Sequence, residues 1–382
     1  MAGRSAVRGT RLAMTRVLIP SYPQDAHAVE VALALMDRGH EAVQWYGGDF
    51  PTRQSASVDV QGGQVAWEIS GPGLDGGHPP FDVVWFRRPA PAVLPAAMHP
   101  GDLPVARREC RHLLRSLYYM ASPEAFWVNP LDCHPRADLK PVQLAEAVRA
   151  GLNVPRTLIS NDPARIRRFL AEHWGRTVYK PFHVSQWEGE DMTALLLTSE
   201  VAVEDLPGDE TLRLTPGIFQ ERIDKAHELR ITVMGAHVVT ARLLSQASPE
   251  TRLDWRMPGT DVRIEPDRLP KAVEQACRRL MRSLGIVSGC FDFIVTPEGE
   301  HVFLEVNPDG QFLWIEQAQP EIRLLAPFVD FLLARRRDFR WRPAPDSPRH
   351  ADYYPAACAR ITAEAPEHVP PDDLFYISSD RP

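Results

Sequence analysis

Lysine is scarce in this sequence: Lys140, Lys180, Lys225 and Lys271 are the only four among 43 basic residues. An ammonium is a compact point charge and a guanidinium a planar fork, so each lysine is a candidate for a place where arginine does not serve. No apolar run reaches the roughly 18 residues that suggest a bilayer span, and the N-terminal "MAGRSAVRGTRLAMTR" lacks the apolar stretch of a secretory signal. No membrane association is therefore expected, and the expected compartment is the cytoplasm. The five cysteines form no CxxC pair, which argues against a zinc knuckle or a disulfide framework and for reduced thiols. The thirteen histidines form no ligand-spaced cluster. A formal net charge of -7 supplies no basic excess to neutralise phosphates, so no nucleic-acid partner is expected. No internal repeat is present.

What is present suffices for a substantial core. At 382 residues and 44% hydrophobic content, the chain suggests two or three domains. "RVLIP" (16–20), "DAHAVEVALALMDRG" (25–39) and "EAVQWY" (41–46) read as a βαβ opening. Its first βα loop, "PSYPQDA", lacks the GxGxxG needed for close approach to a dinucleotide pyrophosphate. A strand "FDVVWFRRP" (81–89) and a helix (102–120) follow, so a first α/β domain is expected over residues 1–126. A central unit is expected over 127–214, with Asp138 capping a helix that contains Lys140 and Asp162 capping a second helix. A third unit spans 215–340. It opens on "TPGIFQERIDKAHELRITVMGAHVVTARLL", read as three consecutive strands, and closes on a helix over 320–337. The Pro-rich tail, 341–382, has weak periodicity and is expected to wrap the surface or lack fixed structure.

The densest chemistry lies in "FDFIVTPEGEHVFLEVNPDGQF" (291–312). With Glu298 and Gly299 at the tip, antiparallel pairing places Asp292 directly opposite Glu305, and the period of two adds Asn307 to the same face. The other face becomes Phe291, Phe293, Val295, Val302, Leu304 and Val306, which must be core. Two carboxylates facing each other repel unless a cation lies between them. Three oxygen donors on one face suit Mg²⁺, which completes its shell with water and nucleotide phosphates. A solvated acidic strand face is the alternative.

A metal-bound triphosphate also needs fixed cations. Lys180 ends the strand "TVYK", and Lys140 sits in the first turn of a helix, where backbone N–H groups favour anions. "GIFQERID" offers backbone hydrogen bonds to an adenine beside apolar Ile218, Phe219 and Ile223. "HELRITVMG" places Glu228 and Arg230 on one strand face, and "TARLL" places Arg242 on the next strand. An exposed ion-pair ladder would use the same residues.

In their order and spacing these elements resemble the ATP-grasp superfamily. The chain is similar to its peptide-modifying branch, the microviridin-type or graspetide macrocyclases, relatives of RimK-like ligases. The matching stretches, across residues 16–338, are "VWFRRP" (84–89), "WVNP" (127–130), "YKPF" (179–182), "FQERI" (219–223), "ELRITVMG" (228–235), "FDFIVTPEG" (291–299) and "FLEVNPDGQFLWIE" (303–316). The last extends beyond the acidic-x-Asn ending common to ATP-grasp enzymes. The resemblance implies an α/β (α+β) ATP-grasp fold behind a Rossmann-like pre-ATP-grasp domain. It implies ATP and two Mg²⁺ ions, with Asp292, Glu305 and Asn307 as metal ligands and Glu305 bridging. Lys140 and Lys180 would contact phosphates, and Asn307 would serve the nucleotide through its metal. Gln220, Glu221, Arg222 and Ile223 would form the adenine hinge and Glu228 would contact the ribose. Arg230 and Arg242 would face the γ-phosphate and the acyl phosphate. The implied reaction activates Asp or Glu side chains of a precursor peptide and closes ω-ester or ω-amide rings with Thr, Ser or Lys. The peptide's leader segment would dock on 183–214, and a homodimer is one assembly this reading allows. A RimK-like or small-molecule carboxylate–amine ligase, an ATP-grasp phosphotransferase and a noncatalytic nucleotide-binding module are the alternatives. Arg87 and Arg88 are open between holding a substrate carboxylate or leader and structural ion pairing.

Overall fold

The computed structural model describes residues 14–74, 80–173, 175–182, 185–188, 193–257 and 260–370. The chain opens with β1 (Arg16–Ser21), α1 (Ala26–Asp37) and β2 (Glu41–Tyr46), then a hairpin of β3 (Ser55–Gln61) and β4 (Gln64–Ser70). β5 (Val83–Trp85), α2 (Leu103–Ala121) and β6 (Phe126–Val128) complete a four-stranded parallel sheet of order β2-β1-β5-β6. The expected boundary after residue 126 thus cuts β6, whose apolar "FWV" pairs with β5. α1 starts where Asp25 Oδ1 accepts the Ala28 N–H at 3.2 Å, as an N-cap acceptor does. Its apolar side, from Ala28 to Leu35, is wholly buried against Val17, Ile19 and Val83.

The middle of the chain contains α3 (His134–Ala137), α4 (Lys140–Arg149), β7 (Thr157–Ser160), α5 (Pro163–Glu172), β8 (Thr177–Lys180), β9 (Ser185–Glu188), β10 (Thr193–Leu196), β11 (Ser199–Glu200), α6 (Asp209–Leu214) and β12 (Gly217–Glu221). Asp162 caps α5 as expected, accepting from Ala164 N and Arg165 N. Asp138 does not cap α4: it closes α3, and the extended Leu139 precedes α4 without a side-chain cap. β12 pairs with β7 and β8 in the second sheet, β11-β8-β12-β7. The stretch from 215 is therefore not one three-stranded run, and the expected boundary after 214 separates β12 from its own sheet. Of the expected leader-docking stretch 183–214, residues 183–184 and 189–192 lie outside the described residues.

The largest sheet is antiparallel, of order β15-β14-β13-β16-β17: β13 (His227–Met234), β14 (His237–Leu243), β15 (Ile264–Asp267), β16 (Ser288–Val295) and β17 (His301–Asn307). α7 (Lys271–Leu284) carries Ala276, Cys277, Leu280, Met281 and Leu284 on one side. With α4, it covers the sheet face formed by Leu229, Ile231, Phe291, Phe293 and Phe303. At the other face, Met234, Ala241, Leu243 and Cys290 pack against the first domain and α9 (Leu325–Ala334), which follows α8 (Leu313–Ala318). In the tail, α10 (His350–Glu364) packs along α1. Buried His350 Nδ1 lies 2.6 Å from Glu30, and His368 Nδ1 2.7 Å from Asp49.

Candidate active site

The hairpin register holds where the chemistry lies. Asp292 pairs with Glu305 and Cys290 with Asn307, but the register shifts between Asp292 and Phe293. Beyond that bulge Phe293 faces Phe303, so Phe303 is fully buried in the core while Leu304 stays partly exposed. Burying a phenyl ring in this way contributes about 1.5–3 kcal/mol. The turn also differs from the expected two-residue tip. Gly299 N–H donates to Thr296 O, placing Pro297 and Glu298 at its centre and Gly299 at φ 87°.

Because paired residues share a face, Glu305, Asp292 and Arg230 form one row across β17, β16 and β13. Arg230 Nη1 donates to both Asp292 oxygens at 2.9 and 2.8 Å, and Nη2 donates to Gln311 O at 3.0 Å. Its Nε is buried with no partner among the described residues. Lys140 Nζ donates to Glu305 Oε2 at the other end of the row. The row stays accessible: side-chain exposure is 19% for Asp292 and 29% for both Glu305 and Lys140. Burial raises the Asp292 pKa above the usual carboxylate value and Glu305 adds to the rise, with Arg230 opposing. Burial would raise Glu305 too, but Lys140, Arg256 and Lys180 outweigh it and hold that carboxyl low.

Arg256 had no sequence signal, because it lies in irregular chain between β14 and β15. Its Nε and Nη2 grip Asp254 at 2.8 and 2.6 Å. From there its charge acts on Glu305, Asp292 and Lys180. Lys180 Nζ donates to Gln220 Oε1 at 2.9 Å, and Gln220 Nε2 donates to Thr157 Oγ1 at 2.9 Å. Burial drives the Lys180 ammonium down to about 8, with Glu305 opposing and Arg256 and Lys140 adding. Glu228 faces the same side as Arg230 and receives Lys225 Nζ at 3.0 Å, a lysine the sequence had left without a role. Along the expected hinge, Glu221 and Arg222 spend their N–H groups on the carbonyls of Arg156 and Arg176. The Arg222 side chain turns away to Glu200 at 2.5 Å, and Ile223 follows half-buried. Arg242 does not join the site. It pairs with Leu229, on the opposite sheet face from Arg230, and binds Asp267 Oδ2 at 2.9 Å.

The turn after β17 ties this row to the first domain. Asn307 Oδ1 accepts from Asp309 N, and Asp309 meets His134 Nδ1 at 3.1 Å. Asp309 O and Gly310 O accept from Arg87, which also binds Asp25 at 3.0 Å. A Cβ on Gly310 would lie 2.5 Å from Cys290 Cβ and 3.0 Å from Arg230 Nη2, so only glycine lets the turn approach Arg230. Asn129, also missed by sequence reading, is fully enclosed. Its Nδ2 donates to Ser288 O and Pro308 O, and its Oδ1 accepts from Val287 N and Ser288 N. One carboxamide thus fixes the start of β16 to the end of β17.

No cluster of three or more His, Cys, Asp or Glu side chains able to hold a metal occurs among the described residues. Two carboxylates and the Asn307 carboxamide fit Mg²⁺ nonetheless, because that ion takes only a few protein ligands and fills its shell with water and phosphate oxygens. The buried, unpartnered Arg230 Nε beside Asp292 fits an anion in the same place.

The three larger sheets, with a row of carboxylates and cations on the largest one, match the fold of solved ATP-grasp ligases. Macrocyclase MdnC of Microcystis aeruginosa MRC, solved bound with precursor peptide MdnA, is 32% identical, covering 83% of this chain and 99% of its own, at a TM-score of 0.73. A Chryseobacterium gregarium RiPP-associated ATP-grasp ligase, in complex with ADP and a leader and core peptide, is 26% identical over 86% of this chain and 100% of that one, at 0.77. Macrocyclase MdnB of the same Microcystis strain is 27% identical over 84% and 99%, at 0.70. No family profile and no curated protein sequence matches. The chain belongs to the peptide-modifying ATP-grasp ligases, the graspetide-type macrocyclases.

Proposed function

We propose that this protein uses ATP to activate Asp or Glu side chains of a ribosomal precursor peptide and closes them onto Thr, Ser or Lys as ω-ester or ω-amide rings. The observation that carries the reading is the row Arg230–Asp292–Glu305–Lys140, cation–carboxylate–carboxylate–cation, on an accessible sheet face beside Lys180. The relatives bound to precursor peptides, with ADP present in one, support peptide and nucleotide as its substrates. Mg²⁺ held by Asp292, Glu305 and Asn307 would offset the charge on the transferring phosphoryl group. Lys140, now on Glu305, and Lys180 turn to the phosphates. Ile223 and the backbone around Glu221 receive the adenine, and Glu228 the ribose. Arg230, with Nε unpartnered, faces the γ-phosphate and the acyl phosphate. A hydroxyl or amine of the same peptide then attacks the acyl carbon, and confinement supplies much of the rate through effective concentration. ATP use and the five free cysteines favour a cytoplasmic site of action. Among the described residues no helix is long and apolar enough to cross a membrane.

Co-expression with the precursor peptide encoded beside the gene, read by mass spectrometry, tests the proposal. The expected product has lost one water per ring, and Glu305→Gln abolishes that loss while the thermal midpoint is kept. A peptide that instead gains phosphate would establish the phosphotransferase. An unchanged peptide with ATP-dependent coupling of a free amine would establish the small-molecule or RimK-like ligase.

A further inference from the structure

Arg88 follows β5 at the seam between the first domain and the turn after β17. Its backbone takes φ 45°, a left-handed conformation that non-glycine residues seldom adopt and that concentrates at functional sites. Its Nη1 is buried and has no hydrogen-bond partner among the described residues. A buried guanidinium nitrogen in that state has lost water without gaining an acceptor. The charged and titratable groups around it include Arg87, Asp309, Asp25, Tyr22 and His27. Both carboxylates already have partners, since Asp25 accepts from Arg87 and Asp309 meets His134. Both neighbouring carboxylates are thus engaged elsewhere, and Arg88 Nη1 is left without an acceptor among the described residues.

The nucleotide row meets the same turn. Arg87, the neighbour of Arg88, donates to Asp309 O and Gly310 O, and Arg230 of the carboxylate row donates to Gln311 O. The Pro308–Gln311 turn is thus held by the arginine pair of the first domain and by the nucleotide row together. An anion that must meet the γ-phosphate from outside the nucleotide can arrive at this turn beside Arg88. A planar fork suits a carboxylate.

We infer that Arg88 binds the peptide carboxylate that is to be activated, an assignment that rests on the ligase reading above. One carboxylate oxygen stays on Arg88 while the other forms a bond to the γ-phosphorus. The bond from that phosphorus to the β-phosphate oxygen breaks with its electron pair on ADP. The attacking hydroxyl or amine then bonds to the acyl carbon as the bond from that carbon to the phosphate oxygen breaks with its electron pair on phosphate, and the attacking group's proton leaves with the phosphate.

The test uses Arg88→Gly, which removes the fork while accepting the left-handed backbone, and Arg88→Lys, which keeps the charge. The probes are the precursor peptide and its counterpart with Gln or Asn at the reacting positions, with MgADP binding measured in parallel. The expected result for Arg88→Gly is a KM for the peptide raised about tenfold or more, since one charge-assisted contact is lost, with KM for ATP, MgADP affinity and thermal midpoint unchanged. Arg88→Lys recovers part of the loss. The wild type binds the acidic peptide more tightly than the amide peptide, and Arg88→Gly binds the two alike. An unchanged peptide KM, equal wild-type binding of both peptides, or a matching rise in KM for ATP would each overturn the assignment, the last by placing Arg88 on phosphate. Absence of ring formation by the wild type would sink the ligase reading instead, while the two-peptide binding comparison still decides what Arg88 holds.

Discussion

Replacing Asn129 with alanine probes the joint that holds the metal-bearing strands together. The side chain is 1% exposed and makes four hydrogen bonds, two to backbone N–H groups and two to carbonyls. Alanine leaves the Val287 and Ser288 N–H groups buried without an acceptor, at about 1–3 kcal/mol for each unsatisfied donor. A water entering the space left by the carboxamide offsets part of this, so the expected loss is about 3 kcal/mol. In a unit of this size that lowers the thermal midpoint by about 6–12 °C. Scanning calorimetry supplies the midpoint, and titration with MgADP should show weakened binding, because Pro308 and Ser288 bracket Asn307 and Cys290. Asn129→Asp, which keeps the acceptor but sets a carboxylate against two carbonyls, should cost at least as much. A midpoint within about 2 °C of wild type for Asn129→Ala would refute the reasoning, since no arrangement with two orphaned donors stays so close.

Lys180 gives a pH signature of its own. Its amine, held down to about 8, favours the neutral form in the fold, so the cost of charging it is present below that value and vanishes as pH rises towards an ordinary lysine's. Nucleotide phosphate restores the proton, and MgADP binding at about pH 9, between the two values, should take up protons; calorimetry in two buffers of different ionisation enthalpy checks this, and Lys180→Met should abolish it. His134 behaves oppositely. Burial lowers its pKa, but Asp309 outweighs burial and leaves it raised, so the pair's stabilisation is full below the usual histidine value and is lost as pH rises through the raised one. On the acid side it is lost as pH falls through the lowered pKa of Asp309. The midpoint difference between wild type and His134→Asn should therefore shrink from about pH 6 to about pH 9, and a flat difference counts against the pair. Truncation after Asp346 removes the partners of Glu30 and Asp49 and uncovers α1. Amide exchange along α1 should then accelerate and the thermal midpoint drop; unchanged exchange would show that α10 is not part of the folded body.

The register of Asp292 against Glu305 was legible because alternation and a turn signal are local properties. The bulge was not, since whether Phe303 or Leu304 enters the core is decided by α7 on the far side of the sheet. The face of Arg242 was legible too. "VMGAH" is a tight turn in which Met234 meets His237, and counting back from it sets Arg242 opposite Leu229, on the other face from Arg230. Asn129 lies in the matching stretch "WVNP", but its role as a joint was not legible because its side-chain partners lie 158 or more residues away, and Arg256 lies in irregular chain. The tail helix was hidden by Pro355 within it and by the absence of a marked apolar stripe; His350 to Glu30 and Tyr353 to Asp37 tie it to α1. Scarcity of lysine was the most productive compositional signal. It led to Lys140 and Lys180, although their partners Glu305 and Gln220 were fixed only by the fold.

That scarcity makes the molecule a natural subject for chemical footprinting. Three of its four lysine amines cluster around one cleft, at Lys140, Lys180 and Lys225, while Lys271 stands exposed at the start of α7. An amine-acylating reagent will therefore mark Lys271 with or without nucleotide, giving an internal standard on the same chain. Marks on the other three will report occupancy of the cleft directly. Lys180, whose amine burial holds down to about 8, should carry the largest change when ATP is added.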